Sequence, residues 1–515
     1  MAELRISTRS HHFVVDQMSP QGRQATERFA RQFIHYGRRQ RAQRYNRYSA
    51  RNARSVSEYS AWREDRRECR FHINVLERFE QHLKDYGLDH ESLVERVAEV
   101  PPPACRIALL IREGWSLRDY QEPAVNYVTA DAGSRSRFLG LQTGKGKGIT
   151  ALFAIRDLAV RTLAFLQPKY IEKWVMDIRE ICQVELEDVM VVRGVQHLKA
   201  LLTMAGSGSL HSPIVIISSK TMQRWINVYE QYGEETLKMG YACLPDQLMG
   251  WLGVGLRLID EVHQHFAMQF RLDLYTHCER SLSLSATLLH TDGFLNRMYE
   301  VAYPDATRYN GPAYDRYVRA TALFYRFRHP RHIRFLDPLS HSYSHYRFEM
   351  SVMKDPAVLD SYLDLIDSIV KSKYELTYRP GEKLVIFFGS VAMCTRATAF
   401  FRARYPGRDV RRYVEEDPFA NAMEPDMVIT TLQSYGAAFH PKELSTVILT
   451  VAVNSLQANL QVLGRLLPLS AGKTPEFIYL VCMDIAQHRI YHESKVELFR
   501  QRALHCETQY VHAPI

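Results

Sequence analysis

The chain has 515 residues, 46% of them hydrophobic and 24% charged, and carries a formal net charge of +9. That length suits about two to four domains, each able to bury its own core. No apolar run approaches the ~20 residues of a membrane span, and the charged opening MAELRISTRS lacks the apolar centre of a signal peptide, so a cytoplasmic location without membrane contact is expected. The eight cysteines (Cys69, Cys105, Cys182, Cys243, Cys278, Cys394, Cys482 and Cys506) include no pair at two-residue spacing. This speaks against a metal ribbon or a dithiol redox motif and predicts buried free thiols.

Residues 1–112 form the first block, an arginine-rich module that closes at the EVPPPA break around Pro101 to Pro103. Residues 1–70 hold 16 arginines and no lysine against seven acids, so 16 − 7 = +9 and the other 445 residues are formally neutral. Between Glu27 and Glu58 lie nine arginines and no acid, interleaved with Tyr36, Tyr45 and Tyr48. Guanidinium forks suit phosphates, aromatic faces suit unstacked bases, and released counterions drive such a run onto a polyanion. Arg38, Arg39, Arg41 and Arg44 are the candidate contacts, against the alternative of a solvated basic arm. A helix is predicted in VLERFEQHLKDYG.

In residues 113–300, apolar runs alternate with helical patterns: RTLAFLQP, SPIVIISS, LRLIDEVH and RSLSLSAT read as strands of a parallel sheet covered on both faces. Residues 301–345 include YRFRHPRHIRFLDPLSHSYSH, rich in Arg, His, Tyr and Pro without periodicity, and read as a linker or excursion. A second alternating block, residues 346–515, carries strands KLVIFFGS, DMVITT, STVILTV and EFIYLVCM and helical stretches such as SYLDLIDSIVKSKY. The expectation is two α/β domains in series.

Two stretches carry chemistry. In LQTGKGKG, Gly144 and Gly146 allow backbone N–H groups to turn toward phosphate oxygens, Lys147 adds charge, and a helix starting near Gly148 directs its positive end there. Leu141 stands at the first Gly or Ala position of the strict pattern, and Gly148 where a hydroxyl would ligate magnesium. Thr150 comes two residues too late on the helix to replace it. About 110 residues on, the strand LRLID ends in Asp260 and Glu261, one carboxylate placed for a metal through water and the other for the attacking water. Either stretch alone could be an ordinary turn or loop start.

Their order, together with SLSAT, resembles superfamily 2 nucleic-acid helicases and translocases over roughly residues 113–510. The resemblance implies an α/β fold of two tandem RecA-like domains, parallel sheets flanked by helices, with a small basic N-terminal domain. SLRDYQEPAV resembles the adenine-recognition motif, LQTGKGKG motif I, LQPKYIEKWV motif Ia, IISSKTM the next strand-contacting motif, IDEVH the Walker B motif and Ser285-Ala286-Thr287 motif III. In the second domain VIFFGS resembles motif IV, ITTLQSYGAAFHPKELSTVIL motif V and QVLGRLLP motif VI. The small basic module ahead of LRDYQ is most similar to T4-type phage helicases that remodel branched DNA.

By that resemblance Gln121, Thr143, Gly144, Lys145, Gly146, Lys147 and Gly148 would bind ATP, and Asp260 would hold Mg2+ through water. Glu261 would orient the attacking water, and Arg465 would reach the transition state from the second domain. His263, Ser285 and Thr287 would couple the site to the nucleic-acid track. Pro168, Lys169, Ser218, Ser219, Lys220, Gly389, Ser390 and Thr431 would grip one strand's backbone. The implied protein is a monomeric, ATP- and Mg2+-dependent helicase or translocase. DNA is favoured over RNA, replication or recombination proteins are its partners, and the host cytoplasm is its location if phage-encoded. Departures at Gly148, at Ala438 and His440 in motif V, and at Pro468 in motif VI favour a second reading, a nucleic-acid clamp or slow ATP switch. A duplex translocase that remodels proteins without unwinding is a third.

Overall fold

The computed structural model describes residues 2–38, 54–88, 90, 93–131, 135–142, 144–185, 188–286, 288, 292–311, 316–414, 417–434, 441–470 and 472–515. Its contacts divide the chain into two compact units, Met1–Leu141 with Gly146–Pro312, and Gln142–Lys145 with Ala313–Ile515.

The first unit begins with strands β1 (Leu4–Thr8), β2 (His12–Asp16), β3 (Ile34–Arg38), β4 (Arg54–Glu58), β5 (Ala61–Trp62), β6 (Cys69–His72) and β7 (Val94–Ala98). Five of them form a mixed sheet in the order β5-β6-β2-β1-β7, and β3 and β4 pair separately as an antiparallel ribbon with Arg38 opposite Arg54. The predicted helix is present as Leu76–Asp85, its Phe79 and Leu83 buried against the sheet's Phe13 and Phe71.

The same unit continues with β8 (Ser136–Gly140), β9 (Thr162–Leu166), β10 (Val189–Val192), β11 (Ile214–Ser218), β12 (Leu256–Asp260), β13 (Arg280–Ser285) and β14 (Arg308–Asn310), an all-parallel sheet ordered β10-β11-β9-β12-β13-β8-β14. The second unit holds β15 (Arg319–Tyr325), β16 (Lys383–Phe388), β17 (Val410–Tyr413), β18 (Met427–Thr431), β19 (Leu444–Leu449), β20 (Glu476–Cys482) and β21 (His505–Tyr510), also parallel, ordered β17-β18-β16-β19-β20-β15-β21. Counted within each sheet, both read 3-4-2-5-6-1-7. Every strand expected from an apolar run is present, and its residues are buried as a sheet covered on both faces requires.

Three expectations change. Residues 301–345 are more than a linker: RATALFY forms β15, which pairs with β20 and β21 and holds the place in its sheet that β8 holds in the first. The N-terminal block is not packed apart, because one continuous core runs from Phe13, Phe29 and Phe71 through Tyr59 to Phe266 and Phe270. The thiols are not all buried: Cys105 is half-buried and Cys506 exposed.

Charge anchors the mixed sheet as well. Arg70, 2% exposed, bonds Glu68 at 2.6 Å and Asp246 at 3.1 Å and lies 4.6 Å over the Tyr275 ring; Arg9 reaches Asp246 at 3.0 Å. Against the opposing effect of burial, the charges of Arg70 and Arg9 hold the Asp246 carboxyl down at about 2. Replacing Arg70 with Met leaves two carboxylates short of a buried partner and is expected to cost about 3–5 kcal/mol in urea unfolding. Because the folded pKa of Asp246 lies below its unfolded value, the stabilisation is full above about pH 4 and lost as pH falls through about 2. Unfolding of the Arg70→Met protein at the wild-type midpoint would show that the anchor carries no load.

Candidate functional site

Parallel strands bring all their carboxyl ends to one edge, where α/β folds hold ligands. In the first sheet Leu166 pairs with Ser218, Phe165 with Ile259, Asp260 with Leu284, and Ser285 with Gly140. Pro168 and Lys169, Ser218 to Lys220, Asp260 and Glu261, Ser285, and the chain entering Gly146 to Gly148 all leave that edge. Five segments chosen from sequence thus meet on one side of one sheet.

The glycine-rich turn joins β8 to the helix Lys147–Leu158. Gly144 has φ +81° and Gly146 φ +75°, left-handed values that residues with a β-carbon rarely adopt. Gly146 is constrained a second way, since a Cβ there would lie 2.4 Å from Gln121 Nε2. That amide donates to the Gly146 carbonyl at 3.4 Å, and its oxygen accepts from the Arg118 N–H at 2.9 Å. Gln121, buried, so braces the start of the helix. The Thr150 hydroxyl donates to the Gly146 carbonyl at 3.0 Å, which spends it on the helix backbone and leaves Gly148 unreplaced. Thr143 lies outside the described residues.

Strand alternation alone would send Asp260 and Glu261 to opposite faces. Glu261 instead adopts φ +50°, a left-handed conformation that costs about 1–2 kcal/mol for an L-residue. The turn is closed by the Gln264 N–H donating to the Glu261 carbonyl at 2.9 Å. Glu261 Oε1 then stands 3.8 Å from Lys147 Nζ, both side chains 10% exposed. Asp260 accepts from the Trp174 indole N–H at 2.9 Å and from the Glu261 N–H at 2.8 Å.

Burial, and next the charge of Glu261, push the Asp260 pKa up, with Lys147 and Trp174 opposing. A carboxylate in that position is stabilised by any further cation. Among the described residues no group of three or more His, Cys, Asp or Glu could hold a metal unaided. Asp260 therefore fits an ion that arrives with oxygens of its own, as magnesium on a triphosphate does.

One ring nitrogen of His263, Nδ1, is 2.7 Å from Ser285 Oγ and 3.3 Å from Glu261 Oε2. Burial, then the charge of Lys147, lowers the His263 pKa to about 3, so the ring is neutral at physiological pH. A polar chain from Glu261 through His263 to Ser285 thereby joins the ends of β12 and β13. Thr287 lies outside the described residues.

Of the residues expected to grip a strand, Pro168, Lys169 and Lys220 are exposed, whereas Ser218 and Ser219 are buried. In the second unit Phe388 pairs with Thr431, so Gly389, Ser390 and Thr431 also share one sheet edge. The Gly389 N–H donates to Glu349 at 2.6 Å, Ser390 caps the helix Val391–Arg404, and Thr431 bonds Ser434 at 2.8 Å. Arg465 follows the helix Leu456–Leu463 and is 2% exposed; Pro468 is exposed. The side chain of Arg38, with Arg39, Arg41, Arg44, Ala438 and His440, lies outside the described residues. Sequence reading passed over Trp174, whose indole holds Asp260; the signal was its place in the second turn of the helix that starts at Pro168.

No family model matches the chain, and no curated protein matches it. Among solved structures it is similar to Mss116p lacking its NTE and C-tail, bound to single-stranded RNA and AMP-PNP. That likeness has a TM-score of 0.50 at 13% identity, over 77% of this chain and 75% of that one. S. cerevisiae Dbp5 bound to RNA and ADP BeF3 aligns with a TM-score of 0.49 at 9% identity, over 78% and 90%. T4 UvsW aligns over 99% of both chains at 12% identity with a TM-score of 0.32. The chain shares the fold of Mss116p. Both parallel sheets are RecA-like, and the small mixed sheet precedes them.

Replacing Gly146 with Ala places a Cβ on a left-handed backbone position and against the Gln121 amide. The variant is expected to lose more than about 1 kcal/mol of stability and to bind nucleotide more weakly in a titration. Wild-type affinity in Gly146→Ala would show that the turn does not form the binding surface.

Proposed function

We propose that this protein is an ATP-dependent helicase or translocase that acts on DNA, with branched or forked intermediates of replication or recombination as its substrates. The observation that carries the reading is the meeting of Lys147, Glu261 and the half-buried Asp260 at the mouth of a left-handed glycine turn, linked through His263 to Ser285. A triphosphate in the turn would be met by backbone N–H groups, the positive end of the helix Lys147–Leu158, and the Lys147 ammonium. Bound with it, magnesium would neutralise phosphate charge, with Asp260 as its protein anchor.

In this reading Glu261 aligns a water on the γ-phosphorus and accepts its proton as the bond to the leaving ADP oxygen breaks. His263 stays neutral and shares one nitrogen between Glu261 and Ser285, so a change at the phosphate alters the end of β13 without a proton leaving the site. Arg465 is the transition-state arginine. Exposed Pro168, Lys169 and Lys220 in the first unit, and the Gly389, Ser390 and Thr431 edge in the second, supply the contacts to one strand's backbone. The arginine-rich segment of sequence between β3 and β4 adds a grip on duplex or branched DNA. Mss116p and Dbp5 are bound to RNA in the structures named above; the branched-DNA reading rests on the basic N-terminal module.

Gly148 supports a second reading, a nucleic-acid clamp that uses ATP as a slow switch, because the helix offers no hydroxyl to the cation. Replacing Glu261 with Gln separates the two. A motor predicts loss of DNA-stimulated ATP turnover by about 10²–10⁴-fold with DNA binding retained. Unchanged turnover in purified Glu261→Gln would falsify the assignment of the site.

A further inference from the structure

Gly148 removes a side chain from the first turn of the helix Lys147–Leu158, and the structure shows what faces the space. A Cβ built at Gly148 would meet one atom within 4 Å, Asp177 Oδ2 at 3.6 Å, an ordinary contact distance. A carboxylate oxygen thus borders the volume that a serine or threonine hydroxyl at this position would enter.

Asp177 is not delivered there by an independent loop. It lies on the helix Pro168–Ile181, one turn beyond Trp174, the residue whose indole holds Asp260. Residues three and four apart share a helix face, so Lys173, Trp174 and Asp177 present a cation, an indole donor and a carboxylate together. Lys173 Nζ is 2.5 Å from Asp177 Oδ2 and 34% exposed. Its flexible stem allows the ammonium to swing to solvent when another cation takes the carboxylate.

We propose that Asp177 supplies to nucleotide-borne magnesium the protein oxygen that Gly148 lacks. The inference rests on the nucleotide reading of the glycine turn. Asp260 and Asp177 then approach the ion from a strand end and from the neighbouring helix, and Lys173 holds the place of the cation between turnovers. The ordinary alternative is that Lys173 and Asp177 form a structural i,i+4 ion pair, in which case breaking it from either side has one effect.

Mn2+ binding to the full chain with a non-hydrolysable ATP analogue, followed by electron paramagnetic resonance, distinguishes these. Asp177→Asn is expected to weaken Mn2+ binding by about 10- to 100-fold, while analogue binding in EDTA stays at the wild-type level. Lys173→Met is expected to leave Mn2+ affinity at or above wild type. Adding Gly148→Thr to Asp177→Asn returns most of the lost affinity, because the hydroxyl re-enters the space. Wild-type Mn2+ affinity in Asp177→Asn, or an equal loss in Lys173→Met, overturns the proposal. Lys147→Ala run beside them separates the two levels. If it abolishes analogue binding while Asp177→Asn behaves as wild type, only this inference falls. If it binds the analogue normally, the nucleotide reading falls with it.

Discussion

Two carboxylates can stay together at a buried strand end only if positive charge and hydrogen-bond donors are brought to them, and the first sheet is organised around that constraint. Asp260 and Glu261 are adjacent in sequence, and burial beside Glu261 makes ionisation of Asp260 harder. Each neighbouring element answers part of the demand. The helix after the glycine turn brings Lys147, the helix after β9 brings the Trp174 indole, and the turn at Glu261 supplies its own N–H. The backbone strain at Glu261 is the local cost of aiming its carboxylate at Lys147 and His263 rather than across the sheet.

The same logic holds the N-terminal sheet in place. Arg70 is buried only because Glu68, Asp246 and the Tyr275 ring surround it, and Arg9 completes the charge balance at Asp246. His35 on β3 bonds Asp292 at 2.8 Å, and Asp292 caps the helix Gly293–Ala302, which follows the Ser285 segment. The N-terminal block is thus tied to the first parallel sheet by ion pairs as well as by a shared core.

The parallel strands were legible in the sequence because burial on both faces writes them as continuous apolar runs between turns: AFL before Gln167, IVIIS before Ser219, LRLID before Glu261. Much of the site was legible too, since loops at a parallel sheet's carboxyl edge carry their motif residues in strand order. Long-range pairings were not. The mixed N-terminal sheet joins β1 to β7 across about 90 residues, and HCETQY is an exposed edge strand with no apolar signature. RATALFY was masked by the arginines, histidines and prolines that follow it. Trp174 and Asp177 escaped for another reason: their partners, Asp260 and the empty side-chain space at Gly148, lie on other elements, and spacing along one helix does not reveal them.

The central claim is that nucleotide chemistry at this edge is driven by nucleic acid. Steady-state ATP hydrolysis by the intact protein, alone and with saturating single-stranded, duplex and forked DNA or RNA, tests it most directly. The account predicts slow turnover alone and a marked rise on DNA, greatest on forked substrates. Tight nucleic-acid binding with no change in turnover on any of them would contradict it and leave a clamp.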